Sequence, residues 1–417
     1  MKAMVKVSVA AVALAFGAAA YADGVTMYGN IDIGVMSASK ACKTASGLTC
    51  TASGSVVGLQ GSQMQANDFG LKGSESLGNG LTAGFDLEGG FNIANGSLGV
   101  DSGTGTSLYG TAAGASQLGS YAGSIFSRTA EVSLSGNWGT VAAGNQVDPA
   151  LIASASTEPR GLTYSLSMLD AWVLTSAASG STGFNFGNTL ATGSVFDNNS
   201  LSYTYSANGL YVGALYGFGG IAGSSSAAQQ TSIGASYTYD NFAVSGSFAK
   251  NKQVGLNAGS AVDGSQVADF GLGYTYGAWA IRAQYGEFKD YGNSAAALGS
   301  PLGSLVDDFK VWGIGVDYNT NAANKLNLSF YDGKNTANGI SSNNKTQEIA
   351  LMDNYSLSKR TSVYGQIASL KLDANAGLIG SAMGGLFTPV GAVGISSVNG
   401  SSSERTTYVG VGMTHSF

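Results

Sequence analysis

Charge is scarce in this chain of 417 residues: Asp, Glu, Lys and Arg make up 11% of it, against about 25% in an ordinary soluble domain. Acidic residues outnumber basic ones, 25 to 19, and no basic run occurs, so nucleic acid is a poor partner. Histidine occurs once, at His415, with no oriented partner in view, which argues against a histidine-based catalytic or metal centre. With only 4 prolines the chain is not a proline-rich disordered segment. Strings such as Gly410-Val411-Gly412 have no βαβ unit around them, so a nucleotide reading fails. No repeat of 20–50 residues marks a solenoid. Long apolar runs are missing too. After Ala22 no window approaches the ~20 apolar residues of a spanning helix.

The first 22 residues are the exception. Lys2 and Lys6 precede an apolar run from Val7 to Ala20, and Ala20-Tyr21-Ala22 is an A-x-A cleavage site. The pattern is that of a secretory signal peptide over residues 1–22; as a membrane anchor the run is short and Asp23 follows at once. Loss of Lys2 and Lys6 takes the formal charge from −6 to −8. Only two cysteines are present, Cys42 and Cys50; in an oxidising compartment that spacing predicts a local disulfide, and a metal site would want more ligands.

What the chain has is glycine (63), tyrosine (20) and alternation. In TTYVGVGMTHSF, Val409, Val411, Met413, His415 and Phe417 share one strand face, and Tyr408, Gly410, Gly412, Thr414 and Ser416 the other. An apolar last strand is an open edge unless it pairs with the first, which is what a closed barrel provides. About sixteen such stretches follow one another, beginning with GVTMYGNIDIGVM. Short turns such as Asn79-Gly80, Asn137-Trp138, Ala207-Asn208 and Gly277 alternate with long connections. The expectation is a 16-stranded antiparallel transmembrane β-barrel occupying residues 23–417, with apolar residues toward lipid and small polar ones toward water. A glycine- and serine-rich loop carrying the cysteines is expected after the first strand, and further long connections near 95–124 and 371–403.

The stretch of about 147–197 has no clear alternation. Loops of this length are generally functional or disordered, and this one holds Trp172, Phe184 and Phe186. Strand charges should point inward, because a charge facing lipid near the midplane costs about 2–4 kcal/mol. Asp32, Asp68, Lys72, Asp86, Glu88, Glu131, Arg282 and Asp317 have that parity, while the parity of Arg128 is ambiguous. In the long stretch Asp148, Glu158, Asp170 and Asp197 face only Arg160. Each is either a solvated wall residue or part of the field that selects solutes. Asp307-Asp308 is either a divalent-ion ligand pair or a solvated loop.

The blocks VTMYGNIDIG, FGLKGSESLGNGLTAGFDLEGGF, LSGNWGTVAAGNQ, NNSLSYTYS, YSLSKRTSVYGQ and the terminal HSF, in that order, resemble the Gram-negative general porins of the betaproteobacterial and neisserial type. That resemblance implies a water-filled outer-membrane channel for passive diffusion of small hydrophilic solutes and ions, with no cofactor. It implies a third loop, here about 147–197, folded into the barrel. It also implies a homotrimer embedded among outer-membrane lipid and lipopolysaccharide, and Phe417 as the signal read by the barrel-assembly machinery. The departures bear on selectivity. Asn67-Asp68 stands where relatives often carry S-R, Gly144-Asn145-Gln146 where they carry G-R-Q, and Val195-Phe196-Asp197 where an arginine often precedes N-N-S; Arg128 is kept. The expected pore is weakly cation-selective or near neutral. A nutrient-selective channel, a barrel enzyme and a plugged adhesin are the competing readings.

Overall fold

The computed structural model describes residues 24–46, 49–94, 96, 98, 125–163, 165–169, 195–254, 261–290, 308–336, 344–373 and 404–417. Seventeen strands and one short helix are assigned among them. The first half of the chain forms β1 (Thr26–Ser46), β2 (Thr49–Gly61), β3 (Asp68–Gly78), β4 (Leu81–Gly90), β5 (Thr129–Gly136), β6 (Gly139–Val147), helix α1 (Pro149–Ala155), β7 (Phe196–Ala207) and β8 (Leu210–Gly217). The second half forms β9 (Gln230–Tyr239), β10 (Phe242–Val254), β11 (Ala261–Tyr276), β12 (Trp279–Asp290), β13 (Asp308–Asn319), β14 (Asn324–Thr336), β15 (Asn344–Ser356), β16 (Thr361–Asp373) and β17 (Glu404–Ser416).

Every strand pairs antiparallel with its neighbours, and β17 returns to β1 with Ile31 opposite His415 and Val35 opposite Val411. The last residue completes the seam. Phe417 exchanges backbone hydrogen bonds with Gly29, at 3.0 and 3.3 Å. A Cβ on Gly29 would lie 2.6 Å from the Phe417 ring, so the absence of a side chain there lets the ring sit across the joint.

Seventeen strands make sixteen staves. The upper part of β1 pairs with β2 (Ile33–Ser46 against Gly61–Thr49) and its lower part with β3 (Thr26–Asn30 against Lys72–Asp68). Thus β2 and β3 are one stave interrupted at Ser62–Asn67. Asp32 stabilises the interruption. Its carboxylate accepts from the Met64 and Gln65 amides and, across the lumen wall, from the Tyr364 hydroxyl at 2.7 Å. Its backbone exchanges hydrogen bonds with the Asn67 side chain.

The expected glycine- and serine-rich loop after the first strand is instead a hairpin, because β1 runs on to Ser46 and β2 starts at Thr49. Beyond the bilayer a ladder needs only backbone pairing, so the apolar alternation fades while the strand persists. The register sets Cys42 opposite Ser53 and Cys50 opposite Ala45. Their side chains lie outside the described residues, as do residues 1–23 with the expected leader, most of 95–124, Asp170, Trp172, Phe184, Phe186 and Asp307. The β3–β4 connection narrows to Asn79-Gly80, both at positive φ (51° and 78°), the geometry of a tight hairpin turn.

Apolar side chains cover the outside, as at Val132, Phe270, Leu272, Ile314 and Leu351. Exposed aromatics such as Tyr239, Phe242, Tyr276 and Trp279 border the short turns of β9–β12, matching the interfacial girdles of membrane barrels. On β16, β17 and β1–β6 no tyrosine or tryptophan points outward among the described residues, apart from Trp138 in the β5–β6 turn.

Deleting Phe417 removes both seam hydrogen bonds and the ring over Gly29. The yield of heat-modifiable barrel, read as a band shift on unheated gels at native expression level, is expected to fall severalfold.

Candidate functional site

The site is the inward fold of the connection after β6. Asp148 caps α1, its carboxylate accepting from the Ala150 amide at 2.7 Å, and Pro149 opens the helix where its missing N–H costs nothing. Burial raises the Asp148 carboxyl above the ordinary carboxylate range. Seven residues long, the helix lies flat on the inner faces of β8–β10. The wall is thinned beneath the loop. A Cβ on Gly234 would meet Ala153 at 2.7 Å, and one on Gly315 would meet the Pro159 carbonyl at 2.2 Å. Gly213, Gly271 and Gly313 likewise sit under Pro149, Thr157 and Pro159.

Beyond the helix the loop crosses the lumen wall by polar contacts. Gln284 on β12 donates to the Ser154 hydroxyl and carbonyl (2.8 and 3.1 Å), and Thr157 hydrogen-bonds Ser245 on β10 at 2.6 Å. Asn327 on β14 donates to the Pro159 carbonyl at 3.0 Å. Glu158, fully buried, is the hub. Its carboxylate accepts from the amides of Arg160, Leu162 and Met168 and from the Tyr331 hydroxyl at 2.6 Å. Arg160, also buried, donates to Thr163 within the loop, to Ser329 on β14 and to Gln366 on β16 at 3.1 Å. Finally Ser165 donates twice to the carbonyl of Gln63, in the β2–β3 interruption.

A second group of charges lies on the inner face of β3–β5, which these loop contacts do not reach. The register places Lys72, Asp86 and Glu131 side by side. Tyr28 donates to Asp86 (2.5 Å) and Glu88 (3.1 Å), and the Lys72 ammonium lies 4.6 Å from the Tyr28 ring centre. Arg128 donates to Glu88 at 2.5 Å while its guanidinium covers the Phe196 ring. Glu131 has no cation within ion-pair distance among the described residues. Three carboxylates therefore face two cations.

The residues singled out in the sequence thus fall into three sets, with Asp197 and His415 apart from them. Lys72, Asp86, Glu88, Arg128 and Glu131 come together on one wall. Glu158 and Arg160 are internal supports of the loop. Arg282 joins them, forming an ion pair with Asp317 and donating to the Glu158 carbonyl at 3.1 Å. Asp32 and Asp68 are buried in the β2–β3 interruption, Asp68 accepting from Asn30 at 2.9 Å. Asp197 is buried at the loop base, and with Asp148 it lines a small cavity there. His415 faces outward and hydrogen-bonds Thr361 at 2.9 Å. The neutral anchors Gln63, Gln284, Ser329, Tyr331 and Gln366 escaped sequence reasoning. Their one signal was polar side chains on the inward parity, which any wet wall shares.

A barrel closed on itself, with a loop laid along its inner wall, is an arrangement for passage through a membrane. Comparison with known proteins decides the family. The Gram-negative porin family model matches residues 8–375. The chain belongs to the Gram-negative porins. Outer membrane porin protein 32 of Delftia acidovorans is 28% identical over 98% of both chains. The anion-selective porin from Comamonas acidovorans superposes with a TM-score of 0.64 at 23% identity, over 94% of this chain and 99% of that one. The trimer form of OmpT from Vibrio cholerae superposes with a TM-score of 0.53 at 13% identity, over 94% and 99%. This porin is a protein of the Gram-negative outer membrane, and its short turns mark the periplasmic end. Its family consists of channels.

Replacing Glu158 by Ala would leave three amides and a tyrosine hydroxyl without their buried acceptor, at about 1–3 kcal/mol for each unsatisfied group. The loop of the E158A porin is expected to loosen while the barrel stays folded. Single-channel recordings should show larger, noisier openings, and added protease should cut between β6 and β7; quiet openings of wild-type size would contradict the role assigned to Glu158.

Proposed function

We propose that this porin is a passive diffusion channel for small hydrophilic solutes and ions, weakly cation-preferring or near neutral, whose opening lies between the loop and the charged wall of β3–β5. The observation that carries the reading is the makeup of that wall. Arg128 is neutralised by Glu88, Lys72 stands over Tyr28 beside Asp86, and Glu131 is left as the unbalanced charge. Arg160 does not join Arg128, since it is held by β14 and β16 on the far side of the loop. Local field decides ion preference in a narrow pore, and acid outnumbers base here. Two unit charges 4 Å apart interact by about 4 kcal/mol at an effective dielectric of 20, so a single unpaired carboxylate is felt. The relative from Comamonas acidovorans is titled anion-selective; Asp68, Asn145 and Asp197 are where this chain departs from the basic pattern of its resemblance group.

We further propose that the functional unit is a homotrimer joined through β16, β17 and β1–β6. Among the described residues that arc is apolar but, apart from Trp138 in the β5–β6 turn, lacks the outward tyrosines and tryptophans that anchor the rest of the barrel at the lipid interface, and the OmpT structure cited above is titled a trimer form. Residues 1–22 are proposed to direct export and be removed.

The zero-current potential across a KCl gradient tests selectivity. At low salt it should have the sign of a cation preference, shrinking toward zero as the Debye length falls below about 10 Å above 0.1 M. Glu131→Gln should move it toward zero and Arg128→Ala away from zero. An anion preference that disappears in Arg128→Ala would overturn the reading. For the trimer, Val132→Arg places a charge on the exposed apolar arc and is expected to convert unheated trimer bands to monomer with the barrel intact; unchanged trimer would show that β5 lies outside the interface.

A further inference from the structure

We propose that the base of the inward-folded loop holds a calcium ion, clasped between Asp148, where the loop leaves β6, and Asp197, where it rejoins the wall as β7. The proposal rests on the fold and not on ion selectivity, since no residue of the charged β3–β5 wall lines this cavity. The backbone brings the two acids together. The Asp148 amide donates to the Val195 carbonyl at 3.0 Å, and Gln146 stands opposite Asp197 in the ladder. Strict alternation would turn Asp197 outward, because Ser200 and Ser202 are buried on the inner face. One extra residue of β7 between the Gly144–Ser200 and Gln146–Asp197 pairs resets the parity, with Asn199 at a φ of 50°. A bulge of this kind re-aims a side chain, and Asp197 is 2% exposed as a result.

Two buried carboxyl groups side by side repel unless a cation or a proton lies between them. No basic side chain supplies that charge. Lys250 lines the cavity, but its ammonium pairs with Asp263 at 2.8 Å. Among the described residues no lysine or arginine comes within ion-pair distance of Asp148 or Asp197.

An independent sign of a ligand is Gln230, at the start of β9. It is 3% exposed and lines the cavity with both acids, and neither its amide oxygen nor its amide nitrogen has a hydrogen-bond partner. Oδ2 of Asp197 is buried and unpartnered as well. Such groups carry their full desolvation cost unless something else satisfies them. The surrounding polar side chains are already engaged. Asn251 and Ser265 bond each other at 2.6 and 2.7 Å, and Asp269 accepts from Ser247 and Gln284.

What faces the cavity is therefore oxygen, from two carboxyl groups and one amide, around space for a single water-sized body. All-oxygen ligands select a hard cation, and two negative charges select a divalent one. Magnesium keeps several of its waters and demands octahedral room, whereas calcium accepts irregular sets of carboxylate and amide oxygens. Calcium fits and hydrated magnesium does not. The ion joins the outgoing and returning ends of the loop to β9, and so fixes where the loop begins its run along the wall.

Purified porin in neutral detergent, stripped with chelator and titrated in a calorimeter with calcium chloride or magnesium chloride, tests this. Wild type is expected to take up one calcium per chain, about ten-fold more tightly than magnesium. Asp197→Asn should weaken calcium by at least that factor and Gln230→Ala by less, while Glu75→Gln near the β3–β4 turn should leave it unchanged. Chelator should also hasten proteolysis of wild type between β6 and β7, and added calcium should reverse the effect. Wild type that takes up no calcium, as an acid pair sharing a proton would, overturns the proposal. So does equal affinity for the two ions, or a heat-modifiable Asp197→Asn that binds calcium like wild type. Where Asp197→Asn yields no heat-modifiable barrel, Gln230→Ala decides by the same measure, undiminished affinity overturning the proposal. Each of these readouts is independent of the sign of the zero-current potential.

Discussion

Hydrocarbon offers no partner to a peptide N–H or C=O, and everything else in this molecule follows from meeting that constraint with strands. Helices satisfy their backbone locally; strands satisfy theirs only if the sheet has no edge. The ladder from β1 to β17 and the final amide exchange between Phe417 and Gly29 are therefore conditions for the existence of the structure in a bilayer. Once the backbone is settled in this way, side chains are free to differ on the two faces. The outside can be uniformly apolar, and the inside can carry charge that a soluble core of this size would not tolerate.

Interior charge is used in two distinct ways. Around the loop, ionic groups are consumed by structure: Glu158 gathers donors, Arg160 reaches two strands, and Arg282 is shared between Asp317 and a loop carbonyl. Such groups hold shape and contribute little net field. On β3–β5 the groups are half-buried and unevenly matched. The division matters because sign counting over the whole chain mixes the two populations.

The barrel was legible from residues because its rule is simple: alternate apolar and polar, turn, repeat. Tight turns were legible from Asn79-Gly80, whose chemistry admits positive φ. The third loop showed itself only as a failure of alternation. Neither α1 nor the side-chain roles inside the loop could be read, since a seven-residue helix carries too little periodicity and Glu158 looks like any loop acid until its four donors are placed around it. The interruption between β2 and β3 was hidden for a related reason. Asp32 has the parity of a wall charge, and only the folded chain brings Met64, Gln65 and Tyr364 to it. Long-range hydrogen bonds between residues some 30 to 330 positions apart leave no local trace.

The glycines beneath the loop have a consequence for how such a channel can change. Gly213, Gly234, Gly271, Gly313 and Gly315 leave room for the loop to rest against the backbone of the wall. Clearance in the bore is thus decided by how thick the lining is, at positions no permeating solute touches. A methyl group added at one of them would displace the loop toward the far side and reduce the cross-section open to flow, with every charge left as it was. Size exclusion and ion preference are consequently written in separate residues, and a lineage could retune one without disturbing the other.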